Sequence, residues 1–157
     1  MRRGVRKPKL GANVSDRKGP KAFESISGNK EPAIAERVEF LHLKAAWRIK
    51  RIQMADPYGW RKLTPGEVSH IHEKLSYFET MTWNDIFIVA HKRNHRIPVN
   101  ELRCPHAKRW MNINMPDQLE LWTLRFTGIE RVWGVFSEGA YQIIFWDPTH
   151  QIMPTLT

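Results

Sequence analysis

The chain has 157 residues, 41% of them hydrophobic and 11% aromatic, and carries a net charge of +9. That length holds one domain with a tail and excludes two full domains. No apolar run approaches the ~20 residues of a membrane helix, no apolar stretch follows the basic N-terminus as a secretory signal requires, and a single Cys104 excludes an internal disulfide and fits a reducing cytosol.

Residues 1–32 are rich in Gly, Lys, Arg, Ser and Pro and show neither helical nor strand periodicity, so they read as a disordered basic tail before a single domain over 33–157. Residues 1–31 hold nine Lys/Arg against three acidic residues and so carry +6 of the total charge. Such an arm serves either nucleic-acid binding or solubility. In 33–46, Ile34, Val38, Leu41 and Ala45 recur at helical intervals and predict a short amphipathic helix. Residues 47–54 alternate with one slip, which fits a strand with a bulge or the end of that helix, and the turn residues DPYG at 56–59 close it.

The next helix is announced by Thr64, Pro65 and Glu67, a capping box with proline in the first turn, and its buried stripe is Val68, Ile71, Leu75 and Phe78. Thr82 and Asp85 start another from Trp83 to about His91, with Trp83, Ile86, Phe87 and Ala90 on its apolar face. The segment 92–104 is polar and basic, and a short helix follows Pro105 until Met115-Pro116-Asp117 breaks it. The runs 119–126, 131–136 and 140–147 are aromatic and β-branched and are joined by short turns, the pattern of a three-stranded antiparallel meander. The fold class expected is α+β: two or three N-terminal helices packed on one face of a C-terminal three- to four-stranded antiparallel sheet.

The order of elements and the run LWTLRFTGIERVWGVFSEGAYQIIFWDPTHQI resemble the RelE/ParE superfamily of bacterial type II toxins, over about residues 47–153. The matching positions are Leu124-Arg125 at a strand end, Gly128 in the turn, Arg131 opening the next strand, and the Asp147-Pro148-Thr149-His150 turn. Glu79 to Trp83 also looks like a helix start of small toxin-like proteins. The resemblance implies a cytoplasmic toxin without metal or cofactor, neutralised by a cognate antitoxin. It acts either as an endoribonuclease on mRNA, in some members on the ribosome, or as a ParE-type inhibitor of DNA gyrase. A third reading is a nucleic-acid-binding accessory protein in which the tail does the binding.

Metal-independent RNA cleavage needs a base for the ribose 2′-OH, cations for the phosphorane and an acid for the leaving 5′-oxygen. Arg125 and Arg131 flank one hairpin turn and suit the phosphate, since a guanidinium donates in a fork and stays charged. The alternative for both is pairing with Glu120, Glu130 or Glu138. His150 titrates near neutral pH and is the candidate acid or base, with Asp147 to orient it; the alternative is a surface turn residue. Lys92, Arg96, Arg103, Lys108 and Arg109 are candidates for the RNA backbone, together with Arg93, and Trp146 or Tyr141 for stacking on bases. Trp83, Trp122 and Trp133 read as core. The spacings of His91, His95, Cys104 and His106 fit no strong zinc pattern.

Overall fold

A computed structural model of the chain describes residues 39–155. The tail and residues 33–38 of the helix expected over 33–46 lie outside the described residues, of which 39 and 40 are helical. Beyond Phe40 the helix expectation fails, because backbone groups of 41–45 bond across to another segment: Trp83 N donates to Leu43 O (3.0 Å), Asn84 N to Leu41 O (2.8 Å) and Ala45 N to Met81 O (3.1 Å). Strand β1 is then only Trp47–Arg48.

Helix α1, Pro65–Phe78, starts on the capping box read from the sequence. Thr64 N donates to Glu67 Oε2 (2.8 Å) and Glu67 N to Thr64 Oγ1 (3.2 Å), which satisfies two of the helix's first N–H groups. Ile71 and Phe78 are buried and Leu75 is half-buried, but Val68 is 52% exposed. The face turned to the core runs through His70, Ile71, Leu75 and Phe78, with the His70 ring edge-on to Phe126 (6.2 Å), and this leaves Val68 outside. A second reciprocal cap joins Thr82 and Asp85. It opens a turn that widens into a π-helix over Asp85–Val89, closed by Ala90 N to Asp85 O. Trp83, Ile86 and Phe87 point inward, as their spacing requires.

Strand β2, His95–Pro98, falls in the polar, basic segment 92–104, to which the sequence assigned no element. Only Ile97 of its four residues is buried, so no apolar alternation marks it, and its pairing with β3 defines it. A short polar edge strand of this kind resists pairing with other chains. Helix α2, Pro105–Asn114, follows a 3-10 turn at Val99–Glu101 and ends at Met115. The meander is β3 (Glu120–Arg125), β4 (Arg131–Ser137) and β5 (Ala140–Asp147).

The sheet order is β1-β5-β4-β3-β2, with β1 parallel to β5 and every other pair antiparallel. The fold is therefore α+β with a five-stranded mixed sheet, rather than a purely antiparallel sheet of three or four strands. Nor do the helices precede the sheet or share one face, since α2 is inserted between β2 and β3. Trp83, Ile86, Phe87 and α1 pack against Trp122, Leu124, Val132, Tyr141 and Trp146. Ala107 and Met111 of α2 pack on the opposite face, against Leu121, Trp133, Val135, Ile144 and Phe145.

A bulge between Trp133 and Gly134 shifts the register of β4 on β5. A Cβ on Gly134 would collide with the carbonyl oxygen of Gln142 and lie 2.7 Å from Tyr141 Cε1, whereas one on Gly128 would meet nothing within 4 Å. Gly134→Ala is therefore expected to cost about 1–3 kcal/mol by overpacking and Gly128→Ala almost nothing. Chemical denaturation of the two variants checks this; equal losses would refute it.

Candidate active site beside the β3–β4 turn

Cross-strand partners in a sheet project to the same face. The register pairs Arg125 with Arg131 and Arg131 with Asp147, a charged row across β3, β4 and β5. The adjacent row pairs His95 with Thr123, Thr123 with Trp133 and Trp133 with Phe145. Trp133 and Phe145 belong to the α2-side core, so both rows lie on that face.

The two arginines are tied to one oxygen. Arg125 Nε donates to Thr127 O (3.0 Å) and Arg131 Nη1 donates to the same carbonyl (2.9 Å). Arg131 also donates to Glu130 O (3.0 Å) and Gly128 O (3.2 Å), so the turn cradles its guanidinium. Asn94, itself buried, accepts the Arg125 backbone N–H on Oδ1 (2.9 Å) and donates from Nδ2 to Ile86 O (3.2 Å).

The carboxylates that offered an alternative are engaged elsewhere: Glu120 with Arg96 (3.4 Å), Glu130 with His70 (2.8 Å) and Glu138 with Arg48 (3.4 Å). Among the described residues, then, neither Arg125 nor Arg131 has a carboxylate in contact, and Arg131 is only 7% exposed. Burial, and then the charge of Arg125, lower the pKa of Arg131, with Asp147 opposing them. Two cations drawn to one carbonyl without a contact counter-ion make a place that favours an anion.

Asp147 is fully buried and accepts three N–H donors: Gln151 N (2.8 Å), Ile152 N (3.0 Å) and Trp133 Nε1 (3.2 Å). It thus fixes the turn that carries His150, whose backbone is left-handed at φ 57°, a conformation histidine tolerates better than most residues. The half-buried His150 ring is held below the usual imidazole pKa by burial, then by Arg131, against Asp147, and by Arg125. His95 is depressed likewise by burial, then by Arg131 and His150. The structure therefore brings His95 to the group expected from sequence, on a strand that the sequence did not disclose.

The other candidates disperse. Lys92 is exposed in the loop entering β2, two residues before the Asn94 that binds the Arg125 N–H. Arg96 pairs with Trp122, a residue of the opposite core, and lies 5.8 Å from that ring, so it is on the face away from the site. Arg103 donates to Pro154 O, Lys108 to Asn100 O (2.6 Å), and Arg109 is exposed on α2. Trp146 is 3% exposed among Trp60 and Phe126, and Tyr141 is fully buried with its hydroxyl on Trp122 O (2.7 Å). Neither ring can stack on a base, which corrects the expectation for Trp146. Among the described residues no three of His, Cys, Asp and Glu come together as metal ligands, and no helix is long and apolar enough to cross a membrane. No protein-family model, no curated protein and no solved structure matches this chain.

Proposed function

We propose that the protein is a metal-independent endoribonuclease of the RelE type, the cytoplasmic toxin of a toxin–antitoxin pair that cuts mRNA. The observation that carries this reading is the pair of guanidiniums on the Thr127 carbonyl, whose charges bear on the His150 ring. Arg125 and Arg131 hold the scissile phosphate and stabilise the charge that builds on its equatorial oxygens. His150 exchanges a proton with the ribose or the leaving oxygen. Exposed Lys92, with Arg103 and Arg109 around α2, adds sequence-blind attraction for the RNA backbone. A cognate antitoxin is the expected protein partner.

Inducible expression in a bacterium, with growth and mRNA 5′ ends followed together, tests this. Growth arrest with clustered new ends is expected, and Arg125→Ala and His150→Ala are expected to relieve it while remaining folded. Arrest without new ends would replace the ribonuclease reading by the gyrase one, and no arrest would remove the toxin reading.

A further inference from the structure

We infer that His95 is the second proton-transfer group of the site, working with His150 across a phosphate held by Arg125 and Arg131. The inference rests on the ribonuclease reading above and supplies its missing partner, since one imidazole cannot serve both the attacking and the leaving oxygen in a single step.

The geometry comes from three segments that are distant in sequence. β2 sets His95 opposite Thr123, on the face and next to the row that hold the two arginines. The turn after β5, anchored on Asp147, carries His150, whose ring feels the charges of Arg131 and Arg125. The charged groups that bear on the two rings are Arg131 from β4, Arg125 from β3 and Asp147 at the end of β5. The Asp147 carboxylate is occupied by its three N–H donors. Between His95 and Trp133, the Thr123 hydroxyl is buried with no hydrogen-bond partner among the described residues, in a residue only 2% exposed. A buried hydroxyl left without a partner is costly, and at 2% exposure it lies within the sheet beside His95, closed to a ligand.

The reaction this pair performs is transphosphorylation. One neutral imidazole takes the 2′-hydroxyl proton as the 2′-oxygen bonds to phosphorus. The other, protonated, gives its proton to the 5′-oxygen as the P–O5′ bond breaks. The products are a 2′,3′-cyclic phosphate and a 5′-hydroxyl, and no oxidant, metal or co-reactant is consumed. Both rings lie below the usual imidazole pKa, so at pH 7 both are mostly neutral. The productive form carries one proton between the two rings. Its population peaks between their two pKa values, which places the optimum of kcat/KM on the acid side of ~6.5.

The test uses the full chain. In the expression assay His95→Gln is expected to lower the yield of 5′-hydroxyl ends about 10²-fold or more, the scale of general acid–base catalysis, with an unchanged melting temperature. A His95→Gln variant that cuts like the parent overturns the inference and leaves the ribonuclease reading standing. A parent that makes no cuts ends that reading and this one together. Histidine NMR with inorganic phosphate gives a readout independent of cleavage: phosphate is expected to raise the pKa of both rings. A response from His150 alone would overturn the role of His95.

Discussion

Asp147→Ala is expected to be the most destabilising change at the site, lowering the free energy of unfolding by about 3–5 kcal/mol, the range for removing one partner of a buried charged network. The carboxylate is fully buried and holds three donors from two parts of the chain: the Trp133 indole on β4 and the consecutive backbone N–H groups of Gln151 and Ile152. Alanine leaves all three without an acceptor. Two of them, Trp133 and Ile152, belong to residues at 1% and 0% exposure, where water cannot substitute. Ile152 is also part of the α2-side core, so releasing its N–H loosens the packing of its side chain there. Asp147→Asn is expected to lose less, because its remaining carbonyl oxygen still accepts, but its amide NH2 then faces a donor. Set against the ~5–15 kcal/mol that holds a typical domain, the alanine variant is marginally folded at best. Urea unfolding of the full chain measures the difference, and a loss below about 1 kcal/mol would show that Asp147 does not anchor the turn.

What the sequence discloses and what it hides follow from where the signals live. The start of α1 is local chemistry, three residues Thr64, Pro65 and Glu67 within one turn, and the structure has the cap as read. The meander is local too, since short turns force β3, β4 and β5 to be neighbours. The second layer was visible in principle. Adjacent apolar pairs such as Leu121-Trp122, Val132-Trp133 and Phe145-Trp146 put large side chains on both faces of the sheet, which requires cover on both sides. β2 was not visible, because an edge strand with one inward residue has no periodicity to detect. For the same reason Arg125 and Arg131, on either side of one turn, emerge as a pair from the hairpin alone. His95 joins them only through a pairing that no local pattern announces.

Arg131→Ala is expected to have the largest effect on activity, a loss of about 10²–10³ in cleavage, the cost of deleting one preorganised donor to a developing charge. Arg131 is the more constrained of the two guanidiniums, with three bonds to carbonyls of its own turn against one for Arg125. Those carbonyls belong to Thr127, Gly128 and Glu130, which are not buried, so water takes the place of the lost donors and the fold survives at a cost of about 1–2 kcal/mol. Arg131→Lys keeps the charge but not the fork that grips the turn, and is expected to recover only part of the activity. Removing Arg125 as well is expected to add less than its single effect, because both cations serve one phosphate. An independent sign accompanies the kinetic one. Arg131 disfavours protonation of both His95 and His150, so its removal favours the charged imidazoles and both pKa values rise. Histidine NMR titration of the alanine variant reads this directly. Unchanged titrations would mean that Arg131 and the two rings do not share one site, and a loss of cleavage would then have to be attributed to the turn alone.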